Sequence, residues 1–411
     1  NSVPGIINNQ FGSIRINGGN LFNQTTLNNT NGSIGIYGGE LQNTGTINNA
    51  NGLITLDGGT LTTTTIGDAG DFNWLSGTLN MNGGSGYYGG NSQLIIDSDD
   101  ASKVSTLNFT GGASHITAGP YTAVGLDNYG NLGIYSGSSL NNANTNAWIG
   151  TYSDNNSVVV DGVGSTWNNI ADLHVGWKQS ENGGVDNTLI ITNGGHVDVN
   201  GMLSVWAGND LTIDGGSLTT RNLDTSDGGE LNFHNGTLTI DGGAYNSDGS
   251  ADLSMLGFGG GTSNFVFQNG ATHTTTGLAN IGGSSGMSVL EIKSGSKVTT
   301  TGGFIGGNYS ANDNAVLVTG ANSSWVNHGS LDVGNFASTS NSLNVFNDAR
   351  VSVADTLKIW DYMALIPVIE GAGGVVTDRY NKVITLNSGG SLVATANPQL
   401  HKKVIEILKS N

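Results

Sequence analysis

A twenty-residue period governs the opening of the chain. The decapeptide GSIRINGGNL from Gly12 returns at residue 32 as GSIGIYGGEL and at residue 52 as GLITLDGGTL. In each copy the apolar residues alternate with polar ones, as Ile14 and Ile16, Ile34 and Ile36, Ile54 and Leu56. That spacing belongs to a half-buried strand, not a helix. A Gly-Gly pair follows, and glycine accepts the positive φ of a tight corner without steric cost. Related cassettes stand at 77–84 (GTLNMNGG), 211–218 (LTIDGGSL) and 238–245 (LTIDGGAY). Short strands with glycine corners at this period describe one coil of a β-solenoid, which buries its apolar face only by stacking on its neighbours. In a helix each interior glycine would cost about 1 kcal/mol, and a β-sandwich leaves the fixed repeat unexplained. The expectation is an all-β right-handed parallel β-helix over residues 1–360. About 18 coils of the same length, each adding about 4.8 Å, would give a rod on the order of 85 Å long.

A longer duplication is superimposed on the coils. Residues 105–119 align with 263–277, 132–140 with 290–298, and 162–176 with 320–334, all offset by 158. The last pair brings Trp167 onto Trp325. Residues 187–206 then align with 341–360 at an offset of 154, bringing Trp206 onto Trp360. Small insertions such as residues 178–185 fall where surface loops absorb them.

Composition narrows the function. The net charge of −18, from 13 basic and 31 acidic residues, disfavours nucleic acid or an anionic membrane as partner, since both are met by Lys/Arg clusters. The absence of cysteine excludes a disulfide framework and thiol chemistry, and fits passage through an oxidising compartment. No leader and no run of about 18 apolar residues is legible, so no membrane insertion of this chain is expected, and Asn1 reads as a processed start.

The Gly-x-x-Ser-[Ser/Thr]-Trp-x-Asn cassettes of residues 162–169 and 320–327, their Leu-x-Val-Gly continuations, the ITNGG segment from Ile191 and the Gly-Gly coils resemble the β-strand repeats of autotransporter (type V secretion) passengers. The resemblance covers residues 1–360. It implies a parallel β-helix exported across the outer membrane, extracellular or held at the bacterial surface. It does not fix an activity, because adhesins, toxins and proteases share such stalks.

At Trp360 the pattern changes. Residues 355–411 carry six of the 13 basic residues. Residues 362–370 and 399–409 read as helices, and 375–377 and 391–395 as strands. The run Trp360-Asp361-Tyr362-x-Ala364-Leu365, then Glu370-x-Ala372-Gly373-Gly374 and Ala394-x-Ala396-Asn397 resemble the C-terminal segment of the inositol monophosphatase/histidinol-phosphate phosphatase family. The resemblance implies that Asp361 inherits a Mg²⁺-binding carboxylate. A hard cation that activates water needs several carboxylates, and the upstream Asp-Pro-x-Asp-Gly segment that supplies them in the family has no counterpart in residues 1–360. Residues 361–411 are therefore expected to be a short α/β tail without activity. It is read as a cap over the last coil, with residues 362–369 lying on it, or as a non-functional fusion, disorder and a dimer contact being the other outcomes open to its apolar face.

Few residue groups point to chemistry. Asp97, Asp99 and Asp100 read as a solvated turn in preference to a Ca²⁺ or glycosidase site. His115 and His273, equivalent by duplication, fill the same coil position, too far apart to share a metal. No nucleophile segment of serine-hydrolase type is present. A polysaccharide lyase would cluster acids with a base, and the stalk's arginines, Arg15, Arg221 and Arg350, are scattered. No cofactor is implied. The tryptophans are the binding candidates: Trp148, Trp177 and Trp206 lie close in sequence beside the 178–185 insertion, whereas Trp167 and Trp325, being copied, read as packing residues at coil corners. The reading is a non-enzymatic passenger that binds a host cell-surface protein or glycan. The alternatives are a polysaccharide-active β-helix enzyme and a Mg²⁺-dependent phosphatase remnant.

Overall fold

The computed structural model describes residues 5–67, 70–88, 93–143, 145–178, 182–255, 261–282, 287–307, 311–334, 338–359, 366, 369–384 and 392–409. The chain divides into two compact units, residues 1–248 and 249–411. The first is a parallel β-helix, and the second is one up to Ile359, followed by a small α/β tail.

In the first unit the opening period becomes register. Ile7, Leu27 and Ile47 pair in one sheet, Ser13, Ser33 and Leu53 in a second, and Asn20, Glu40 and Thr60 in a third. Each step is one repeat, so side chains of equal parity stack. Leu27, Ile34, Ile36, Leu41, Ile47, Ile54, Leu56 and Leu61 are all at most 1% exposed. Because a fully buried aliphatic side chain contributes about 1.5–3 kcal/mol, these stacked columns drive the coiling.

The period does not persist. Thr60 pairs with Thr78, Gly77 with Ser105, Ser157 with Thr188 and Asp210 with Glu230, steps of 18, 28, 31 and 20 residues. The expectation of about 18 equal coils is corrected accordingly. Most strands stay short and extra residues fall at the corners between them, although strands His196–Val205, Asp210–Asp224 and Glu230–Asp241 run through corners. The cassettes also mislead on register. Leu211 and Leu238 begin the same LTIDGG hexapeptide, yet Leu211 pairs with Leu231 and Leu238 with Leu218. Alternation followed by Gly-Gly suits any corner, so the motif marks a corner without saying which.

The duplication appears as equivalent columns, one in each unit. His115, Leu140, Trp167 and Val197 stack in the first unit, and His273, Val298, Trp325 and Val351 in the second. Trp167 and Trp325 are fully buried inside strands Thr166–Asn169 and Ser324–Asn327. They are core residues as expected, but within sheets and not at corners. Phe109 and its copy Phe267 pack on His115 and His273, with ring centroids 4.5 and 6.0 Å apart. Gly86 faces His115 in the preceding coil, where a Cβ would come within 2.5 Å of the imidazole.

Burial pushes the pKa of His115 down to about 4, which predicts an acid-sensitive limb. The unfolded chain takes up this proton near pH 6.5 and the folded chain does not until about 4. The stabilising contribution is thus complete above 6.5 and falls as pH drops towards 4, by up to about 3 kcal/mol. In thermal melts across this range the protein should lose stability on acidification relative to His115→Leu, which lacks the titrating group. Parallel curves would show that the imidazole does not titrate this way.

Asparagine supplies a second, polar interior that the sequence reading did not anticipate. Asn9, Asn29 and Asn49 are buried and linked by amide–amide hydrogen bonds of 2.7 Å. Further along, the Asn156 amide donates to Asn187 (2.7 Å) and that of Asn187 to Asn209 (2.9 Å). In the second unit the Asn314 amide donates to Asn341 (3.0 Å). These amides sit directly under corner glycines. Gly150 and Gly176 have φ near +70° and +76°, and a Cβ on either would come within 2.1 Å of Asn187 or Asn209. Glycine is required there twice over, by its backbone and by the ladder beneath it.

The described tail bears out its strand and second helix readings. Val375–Thr377 and Val393–Thr395 pair antiparallel, and Pro398–Lys409 is helical. Proline suits the first helical turn, and the Asn397 side chain caps it by accepting from Leu400 N at 2.9 Å. Buried His401 ties the pieces together through Thr377 Oγ1 (2.9 Å) and Thr395 Oγ1 (3.1 Å). Residues 362–369 lie outside the described residues apart from Ile366 and Ile369. Leu331 and Val333 are buried, and their partners in the following coil, Leu357 and Ile359, are 37% and 44% exposed.

Candidate functional site

Trp148 lies on strand Ala147–Ile149, between two buried neighbours, and so points outward. Its register neighbours are Ala123 behind and His174 ahead. The Trp148 and His174 rings stack at 5.7 Å and 23°, and Tyr121 meets Trp148 edge-on at 5.8 Å. Trp177 then contacts His174 edge-on at 5.5 Å and Trp206 at 5.6 Å. The structure therefore brings the three sequence-predicted residues into one aromatic row and adds Tyr121 and His174, with Lys178 Nζ 5.8 Å over the Trp206 ring. All five rings are half-buried.

The row forms for a local reason. Gly150 N donates to Val124 O, Gly176 N to Ile149 O, and Trp206 N to Val175 O. Trp206 thus occupies the corner position that glycine holds in the two preceding coils. Its ring is placed against Trp177, which follows the last of those glycines. Tyr121 and His174 were missed because the coil steps that bring them to Trp148 are 25 residues (Ala123 to Trp148) and 26 residues (Trp148 to His174), invisible to a twenty-residue ruler. Residues 179–181 of the adjoining insertion lie outside the described residues.

Electrostatically the row is quiet. Burial lowers the His174 pKa, with Asp172 opposing weakly, so the imidazole stays neutral at physiological pH. Its Nδ1 and the Trp206 Nε1 are buried without a hydrogen-bond partner among the described residues.

The other candidates separate. Asp97 accepts from the backbone N–H groups of Asp127 (3.1 Å) and Asn128 (2.8 Å), Asp99 pairs with Lys103 (3.1 Å), and Asp100 accepts from Ser102 N and Oγ (both 2.7 Å). Each carboxylate is engaged separately, as a turn requires, and no group of side chains among the described residues is placed to hold a metal ion. Arg15 lies over the Tyr37 ring at 4.3 Å, and its Nε donates to Asn17 Oδ1 (3.0 Å). Asp361, the inherited Mg²⁺ ligand, lies outside the described residues. No helix among the described residues is long and apolar enough to cross a membrane.

The sequence model of the inositol monophosphatase family matches residues 315–411, beginning well before the motifs at Trp360. Yet Ala315–Thr319, Ser324–Asn327 and Leu331–Val333 are solenoid strands paired in parallel on both sides. No curated protein matches the chain at a significant level. One solved structure, a TibC-catalysed hyper-glycosylated fragment of TibA, aligns over 84% of this chain and 99% of its own at 16% identity. Its TM-score is 0.24, a superposition too loose to argue from.

Proposed function

We propose that this chain is a passenger of the autotransporter type, displayed at or released from a bacterial surface, that acts by contact through the aromatic row and not by catalysis. The observation that carries this reading is the row itself: five half-buried rings in mutual contact, with Trp148 and His174 in register on a parallel sheet. Pre-ordered aromatic groups of this kind lose little entropy on binding and make interface hot spots. A host surface protein is favoured over a glycan. The stacked faces of Trp148 and His174 are turned to each other, which leaves ring edges for solvent, whereas a sugar packs on an open ring face.

The test is binding of the full chain to host cells, with protein and glycan arrays as readouts. Trp177→Ala is expected to weaken binding at least about tenfold, a loss of about 1.4 kcal/mol, with the melting temperature unchanged. Unaltered binding would remove the row from the interface.

A phosphatase reading draws only on the family match to residues 315–411. It needs the same residues that here form solenoid coils to supply an α/β framework. The expected outcome is no Mg²⁺-dependent hydrolysis of inositol phosphate or histidinol phosphate, and no stabilisation by the metal. Turnover abolished by Asp361→Asn would overturn that expectation.

A further inference from the structure

One joint between coils in the first unit is incomplete. Strand Asp71–Trp74 pairs with Leu53–Leu56 behind it, and Leu94–Ile96 pairs with Thr122–Val124 ahead. These two strands occupy successive turns of the same side of the coil, yet no ladder joins them among the described residues. The next strand of the same two turns is fully joined: Gly77–Asn82 pairs with Val104–Thr110 along its whole length. The coils are therefore joined along that strand and again where Asp99 N donates to Leu75 O (2.9 Å), and are parted between the two walls.

The parting is a cleft of about 610 Å³, walled by Phe72, Asn73 and Trp74 on one side and Leu94 and Ile95 on the other. Such a volume is ordinary for a binding site. Phe72 and Trp74 continue the interior columns of Ile54 and Leu56, which are fully buried, but are themselves only half-buried. In a parallel strand alternate residues direct N–H and C=O to opposite sides. Each wall therefore offers every second residue's backbone groups to the cleft. Unpaired edges of this kind are templates for another strand.

The rim has a sign. Asp97 and Asp99 line it, and nearby Lys103 is bound by Asp99 (3.1 Å) and Asp57 (2.9 Å). Asp97 lines the cleft, its carboxylate accepting from the backbone N–H groups of Asp127 and Asn128 in the coil ahead. Its burial, then the nearby Asp127 charge, push its pKa up, a cost that an arriving cation would relieve.

We propose that this cleft binds an extended peptide segment of another protein, apolar on one face and basic on the other, which enters as an added strand between Asp71–Trp74 and Leu94–Ile96. Backbone bonding to both edges would give affinity, and the apolar floor with the acidic rim would give selectivity. The site is separate from the aromatic row and does not depend on it.

The test uses a blocked five-residue peptide of alternating valine and lysine, titrated into the full chain by calorimetry and by amide hydrogen exchange. It is expected to bind one per chain and to slow exchange at Phe72 and Trp74 at least tenfold. Methylating alternate backbone nitrogens, or replacing lysine by glutamate, should each weaken binding at least tenfold. So should Trp74→Leu, with Asp99→Asn as the milder variant if that one fails to fold. Equal affinity for the methylated peptide, no protection at Phe72 and Trp74, or no binding at millimolar peptide would each overturn the proposal.

Discussion

Asn187→Ala is expected to destabilise the first unit by about 2–4 kcal/mol. The Asn187 side chain is fully buried. Its Oδ1 accepts from Asn156 N (2.9 Å) and Asn156 Nδ2 (2.7 Å), and its Nδ2 donates to Asn209 Oδ1 (2.9 Å). Not every broken bond leaves an orphan. Asn156 Nδ2 keeps Ser153 O and Oγ as acceptors, and Asn209 Oδ1 still accepts from Asn187 N. The Asn156 backbone N–H loses its acceptor, at about 1–3 kcal/mol, and a void opens under Gly150. For a unit of this size the melting temperature should fall by roughly 5–15 °C. Exchange at the Asn156 amide should quicken before neighbouring coils respond, since coils couple mainly to their neighbours. Asn168→Ala is the control. Asn168 belongs to an outer pair, its amide donating to Asn141 at 2.6 Å, and its loss should stay within about 0.5 kcal/mol. Equal effects at the two positions would mean that the buried amides are replaceable filler.

The copied tryptophans allow a sharper comparison. Truncating Trp167 or Trp325 to alanine should cost about 3–5 kcal/mol each, as for other large buried aromatics. Replacement by phenylalanine should separate them. Trp325 Nε1 donates to Thr300 Oγ1 at 3.1 Å, so Trp325→Phe removes a buried hydrogen bond. Trp167 Nε1 is buried without a partner among the described residues, so Trp167→Phe removes a donor that is already unpaired. The duplication explains the difference: the residue copied as Thr300 is Asn142 in the first unit, and its amide donates to Asn169 instead (2.8 Å). Trp325→Phe should therefore be the more damaging by about 1 kcal/mol. Equal melting shifts would show that the indole N–H at 325 contributes nothing net.

The duplication was the most reliable guide in the sequence. Its offset of 158 carries Phe109 to Phe267, His115 to His273 and Trp167 to Trp325, and each pair recurs at an equivalent place. The twenty-residue cassette was reliable only for the first three coils. Of the candidate surface, Trp148, Trp177 and Trp206 were legible as a cluster along the chain. Their contact with Tyr121 and His174 was not, nor was the parted joint at Trp74.

Sequence by itself determined that this chain coils. Alternating Ile and Leu with Gly-Gly corners can bury an apolar face only against a copy of itself, and the repeats carry that information locally. Which residue lies over which was decided by the tertiary structure, because register depends on how many residues each corner absorbs, and a corner's length leaves no mark on the strands it joins. The same holds for the asparagines. In the sequence they look like solvent-facing residues, and only the stacking of coils places Asn156, Asn187 and Asn209 one above another, where each amide satisfies the next and a buried polar group becomes stabilising.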